Sequence, residues 1–369
     1  MKSNNYLIFL ALLLAVAIAC GKKTPSEPVL NTPTFTRTVV INAPTRTSTQ
    51  QPATSPTITA TMTVFVTPTV TITLTPLTTG ITWTMASTSA GFGERYHHNV
   101  IEYNGKMWLI AGASTSGHMK DVWNSTDGVD WTFVTGNAAF GPREGQSAIV
   151  YQNKMWVLGG NSNGTRKNDV WSSTDGAVWI LEAANGGFTA MNSFTLNEYL
   201  NANGRFWIVG GCTSDSDFRP QIWKSDDLKS WTLASATSAI GQVREHIAYV
   251  YDGKLWVVGG GIAMAAPADT NKVFNTTDGI NWTMVASNPA FSVRRILSGT
   301  IFSNKMWVIG GLSGSTEPRD VWCSSDGITW TKQSNDVWGS HIRGSVCLTF
   351  VDRMWLVGVP GSTKIYWTE

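Results

Sequence analysis

The sequence predicts an all-β fold, a six-bladed β-propeller with four-stranded blades. Three observations predict it. A tryptophan recurs at Trp108, Trp156, Trp207, Trp256, Trp307 and Trp355, at spacings of 48 to 51 residues. A second recurs at Trp83, Trp131, Trp179, Trp231, Trp282 and Trp330, at spacings of 48 to 52. Between them the chain repeats an apolar run ending in Trp-x-x-Gly-Gly, then Asp-Val-Trp, then Ser-x-Asp-Gly-x-x-Trp. A period of this length that carries several short strands marks one propeller blade per repeat.

The second repeat reads most cleanly. Residues 145–151 are expected as strand a, innermost in the ring, followed by b at 154–159, c at 169–173 and d at 178–182. Strand b is continuously apolar, as a strand covered on both faces should be. Asp175-Gly176 supplies the positive φ that a tight c–d hairpin needs, and Asp127-Gly128, Asp278-Gly279 and Asp326-Gly327 repeat it. Blade 3 has Asp226-Asp227 there, so a different turn is expected. The glycine pairs after strand b let backbones approach closely. Tryptophans at fixed repeat positions are read as packing between blades.

The ends of the repeat region are complementary. Ile81-Thr82-Trp83-Thr84 matches strand d elsewhere, and Lys364-Ile365-Tyr366-Trp367 matches strand c. Blade 6 should therefore take a, b and c from the C-terminus and d from the N-terminus. That splice closes the ring and hides sheet edges, so a monomer is expected.

With these residues in place, the chain resembles the kelch-repeat superfamily of propellers over residues 81–369. The matching elements are an Arg opening strand a, Gly-Gly after strand b, Asp-Val-Trp in c and Trp in d. Ser125-Thr126-Asp127-Gly128-Val129-Asp130-Trp131 also resembles a shortened Asp-box of sialidase-type propellers, in which the box is a structural turn remote from the active site. The kelch resemblance implies a fold more than a function, since the family includes protein-binding modules, sugar isomerases and copper oxidases.

Residues 1–19 read as a lipoprotein signal peptide. Lys2 supplies the charge and residues 7–19 an apolar stretch too short to span a membrane. Ala17-Ile18-Ala19-Cys20 is similar to a lipobox, with Cys20 the expected lipidation site. No Asp follows Cys20, which favours the outer membrane in a Gram-negative cell. Residues 20–80 continue as a Thr- and Pro-rich linker without apolar periodicity, expected to be a disordered stalk.

Charge excludes one class of partner. The first 80 residues hold five Lys/Arg and Glu27, so from totals of 27 and 25 the propeller keeps 22 basic against 24 acidic residues. That gives no electrostatic case for nucleic acid. Cys212, Cys323 and Cys347 are odd in number and occupy different repeat positions, which argues for buried thiols. The histidines, His97, His98, His118, His246 and His341, show no metal-ligand spacing. No cofactor is expected.

Function in such a ring belongs to the mouth of the central channel. Arg95, Arg143, Arg244, Arg294 and Arg343 are read at the start of strand a, with Met191 in blade 3. Two roles stand open for this set. A guanidinium ring would suit a carboxylate or sulfate ligand. Alternatively, Asp121, Asp169 and Asp320 pair with Arg95, Arg143 and Arg294 as scaffold. Blades 4 and 6 have Lys272 and Lys364 near the Asp position, which leaves Arg244 and Arg343 as the leading ligand candidates. Phe92, Phe140, Phe188, Ile240 and Phe291 are expected as plugs between blades. Trp338 lies out of register with them and is expected to be exposed. The apolar b–c loop at 262–271 is a candidate partner contact.

The leading expectation is a non-catalytic, lipid-anchored binding head recognising a glycan or a surface protein. The enzyme alternative resembles the kelch-type sialate mutarotases, with Glu245 or His246 as base and Arg244 holding a carboxylate. Strand alternation would send Glu245 and His246 to opposite faces, which counts against it. Sialidase and copper-oxidase readings lack their residue sets, and an envelope scaffold is the third class.

Overall fold

In a computed structural model the described residues are 81–262, 268–334, 338, 342–358 and 363–368. The expected signal peptide, Cys20, the stalk, His341 and the centre of the 262–271 loop lie outside them.

Six four-stranded antiparallel sheets follow one another along the chain. Blade 1 runs through Asn99–Tyr103, Lys106–Ser114, Gly117–Ser125 and Thr132–Thr135 as strands a to d. Blade 2 repeats this with Ser147–Tyr151, Lys154–Ser162, Thr165–Ser173 and Ile180–Ala183. Strands b and c reach further than their apolar runs suggest, because they continue as a polar hairpin beyond the glycine pair. Blade 6 combines Val346–Phe350, Arg353–Val357 and Ile365–Thr368 with the N-terminal Trp83–Ser87. Trp83 pairs with Thr368 and Met85 with Tyr366, so the ring closes by the expected splice.

The core is divided among the interfaces between blades. Trp108 and Val122 of blade 1 pack on Met155, Val157 and Trp179 of blade 2, and the pattern repeats around the ring. At the closing seam, Trp355 and Ile365 of blade 6 pack on Met107 and Trp131 of blade 1. Each strand-b indole is anchored by its N–H. Trp108 donates to the Tyr103 carbonyl at 3.0 Å, and Trp156, Trp207, Trp256, Trp307 and Trp355 donate likewise to Tyr151, Tyr199, Tyr251, Phe302 and Phe350. Burying an aromatic of this size while satisfying its polar edge stabilises each interface between blades.

The c–d turns are Asp-boxes in structure as well as in sequence. Asp127 Oδ1 accepts the N–H groups of Val129 and Asp130 at 2.9 Å, Ser125 Oγ accepts that of Gly128, and Trp131 donates to the Gly128 carbonyl. Blade 3 does not differ as expected. Its turn is the same, with Asp227 as acceptor and Leu228 at φ 66° in the glycine position. The equivalent dipeptide is Asp227-Leu228, one residue later than Asp226-Asp227. In the other described boxes glycine is required for space: a Cβ on Gly279 would lie 2.5 Å from the Trp207 ring.

Candidate functional site at the channel mouth

The segments entering strand a line the channel, and their register is fixed by backbone bonds to strand b or to the residues just after it. Tyr96 N–H donates to Ala113, Glu144 to Asn161, Asn192 to Cys212, Arg244 to Gly261 and Arg295 to Leu312, at 2.9–3.1 Å. Arg244 is thus equivalent to Glu144, not to Arg143. The residues equivalent to Arg95, Arg143 and Arg294 in the other blades are Met191, Val243 and Ile342. The sequence reading placed Arg244 and Arg343 one position too early. The spacing from the plug held the signal, since Phe92-x-x-Arg95 corresponds to Ile240-x-x-Val243.

This register separates two sets of arginines. Arg95, Arg143 and Arg294 are scaffold, at most 1% exposed. Each pairs with the expected aspartate: Arg95 with Asp121 at 2.9 Å, Arg143 with Asp169 at 2.9 Å and Arg294 with Asp320 at 2.7 Å. Each also donates to a strand-b carbonyl, of Ala111, Gly159 or Gly310. Their guanidiniums stand 5.4–5.6 Å from the rings of Phe92, Phe140 and Phe291. Burial opposes charge on Asp121 and Asp320, but the arginine bonds outweigh it and hold both carboxyls below their ordinary range. Blades 3, 4 and 6 lack both partners, having Met191 with Gln221, Val243 with Lys272 and Ile342 with Lys364. Three intact pairs and three double losses are what a structural ion pair produces, because a single loss strands a partly buried charge.

Trp338 also departs from expectation. It is buried, edge-on to Trp83 at 4.6 Å and to Tyr366 at 5.0 Å, and it donates to the Arg319 carbonyl. A large indole one position early fills the slot that phenylalanine fills in blades 1, 2, 3 and 5. The three remaining cysteines are free and buried, as expected.

The second set forms the rim. Blades 4, 5 and 6 present Arg244, Arg295 and Arg343 at one equivalent position, where blades 1, 2 and 3 have Tyr96, Glu144 and Asn192. Arg244 lies over the Phe218 ring at 4.4 Å, with Nη1 3.9 Å from Glu245. Arg295 bridges Asp269 at 2.5 Å and Glu245 at 3.5 Å. Arg343 meets Glu317 at 3.3 Å and keeps 47% of its side chain exposed. Opposite them, Glu144 receives His97 Nδ1 at 3.2 Å, with His118 Nε2 at 3.4 Å. Burial favours the neutral His97 ring, but the Glu144 hydrogen bond and the charges of Glu245 and Glu144 raise its pKa. Glu144 is held below the usual carboxylate range by His97, His118 and Asn161, against its burial.

One step inward, His97, Gly145, Ser193, Glu245, Ile296 and Gly344 all have φ between 52° and 71°. Their amides form a chain around the axis. Gly145 donates to His97, Ser193 to Gly145, Glu245 to Ser193, Ile296 to Glu245 and Gly344 to Ile296. Left-handed backbone is unfavourable for most side chains, and most of all for a β-branched residue such as Ile296. It also overrides strand alternation, so Glu245 and His246 both line the central cavity, contrary to the sequence reading. His246 is neutral there. Burial lowers its pKa to about 3, and Nε2 lies 2.9 Å from Thr195 Oγ1.

Glu144, His97 and Arg295 were not singled out from sequence. Arg295 was hidden by its neighbour Arg294, which fills the scaffold position one residue before the rim position. No protein-family model matches the chain, and a search of curated proteins finds no similar sequence.

Proposed function

We propose that the protein is a kelch-type, lipid-anchored binding head of the cell envelope, taking a glycan or surface protein at the channel mouth without chemistry. The rim carries this reading. Three neighbouring blades carry an arginine at one equivalent rim position, and Arg343 keeps about half its side chain in solvent. A guanidinium on a rim beside a cavity suits a carboxylate or sulfate of the ligand. The amino-terminal signal, Cys20 and the stalk support an anchored head. Replacing Cys20 with Ser should abolish incorporation of labelled fatty acid and release the protein from membranes; undiminished labelling would remove the anchor from the proposal.

The binding claim is tested by thermal shift of the full chain against acidic and neutral sugars. A ligand at 100 times its Kd adds about 2.7 kcal/mol, which corresponds to roughly 5–8 °C here. Acidic sugars should give the larger shift, and Arg244→Ala and Arg343→Ala should abolish the excess. Equal shifts in the variants would exclude the rim.

A second reading, acidic-sugar mutarotation, is favoured by Glu245 standing between Arg244 and Arg295, where a carboxylate could take a sugar proton. Accelerated anomer exchange of sialic acid, lost in Glu245→Gln, would establish it.

A further inference from the structure

Beneath the rim the channel holds a cavity of about 220 Å³, room for roughly seven waters. Its wall contains four buried polar atoms without a protein partner, His98 Nδ1, Asn99 Oδ1, Gln146 Oε1 and His246 Nδ1, and a fifth, Glu245 Oε2, that has the Arg295 ion pair at 3.5 Å but no hydrogen bond. His98, Gln146 and His246 are 3, 4 and 5% exposed. A buried polar atom left without a hydrogen bond destabilises the fold, so several gathered in one cavity point to a guest.

The chemistry of these atoms selects the guest. The Gln146 amide donates Nε2–H to the Ile110 carbonyl at 3.1 Å, which turns its oxygen to the free side. His98 Nε2 faces the Val357 carbonyl at 3.2 Å and must carry the proton, so Nδ1 presents a lone pair. Burial and the nearby Arg95 keep that ring neutral, with a pKa lowered to about 3. Asn99 Oδ1 and Glu245 Oε2 are acceptors by nature. At least four of the five atoms therefore ask for donors. A simple anion such as chloride or sulfate has none to give. A cation would find one carboxylate, already beside the guanidiniums of Arg244 and Arg295. Ile296, Leu297 and Val346 add an apolar wall to the same cavity.

We propose that the channel takes one uncharged sugar ring or cyclic polyol, its hydroxyls donating to His98, Asn99, Gln146 and Glu245 and its C–H face lying on Ile296, Leu297 and Val346. This rests on the mouth being the binding face: the rim takes the acidic group of a glycan, and the channel takes the neutral unit beside it.

The test is titration calorimetry of the full chain with myo-inositol and D-glucose, with ethanolamine as the charged control. At least one neutral probe should bind roughly tenfold more tightly than ethanolamine, and Gln146→Met should lose about that factor. Should Gln146→Met fail to fold, the wild-type imidazole ¹⁵N signals serve: His98 Nδ1 should shift when the neutral probe is added, as its lone pair gains a donor. Tighter binding of ethanolamine would overturn the proposal. So would unchanged affinity in a folded Gln146→Met, a still His98 signal, or no binding by either neutral probe, which would mean that the channel holds ordered water only. If acidic sugars still act through Arg343 while the neutral probes fail, this inference falls alone; if both fail, the mouth reading falls with it.

Discussion

The Arg143 guanidinium donates to both oxygens of Asp169, to the Gly159 carbonyl and to the Phe140 carbonyl, all within one buried slot. Removing it as Arg143→Met should cost about 3 kcal/mol, because Asp169 is left without its counter-charge. Adding Asp169→Leu should recover at least half, since the double variant resembles blades 3, 4 and 6. Urea unfolding of the single and double variants measures both. Protonation acts in the opposite sense on different histidines. His98 and His246 have folded pKa values of about 3, below the unfolded value of about 6.5. As pH falls below the unfolded value, the unfolded chain takes up protons first. Each ring should then remove about 1.4 kcal/mol of stability per pH unit down towards its folded pKa. His97 has a raised pKa, so its contribution is fully present below the unfolded value and is lost as pH rises through the folded one. The unfolding midpoint followed from pH 7 downwards should fall, and His246→Gln should make the decline shallower. An equal slope in the variant would show that His246 is not held neutral.

Closure depends on the strand Trp83–Ser87, whose Trp83 packs between Trp338 and the body of blade 6. Trp83→Ala should cost about 3–5 kcal/mol, or roughly 6–12 °C, and deleting residues 81–87 should cost more and expose the edge of Ile365–Thr368 to aggregation. A melting curve unchanged by the deletion would mean that the ring does not need its N-terminal strand. The splice was legible because Trp83 and Trp367 each carried a recognisable fragment of the repeat. Strand ends were less so: Asn161 and Arg166 lie in a polar hairpin held by backbone pairing, which has no apolar period. Blade 3 misled because Leu228 occupies a left-handed position that sequence assigns to glycine. Leu228 is fully buried among Trp156 and Trp231, and that packing offsets the backbone cost.

The whole ring was visible as a period, and the scaffold pairs as a parallel loss of Arg and Asp. The mouth was harder to read. Its residues differ in every blade because the ring does not need them to be alike, so no repeat marks Glu144, Asn192 and Arg295 as equivalents. Only the backbone register aligns them, and an error of one residue exchanges a buried scaffold arginine for a rim arginine. The two sets make the account testable in one comparison: binding to an array of acidic oligosaccharides, measured beside the melting temperature, for the full chain and for Arg294→Met and Arg343→Ala. Arg343→Ala should lose about tenfold in affinity, the worth of one charge-assisted bond, and melt as the parent does. Arg294→Met should melt earlier and bind as the parent does below its transition. Binding that survives Arg343→Ala but is lost with Arg294→Met in the folded state would contradict it.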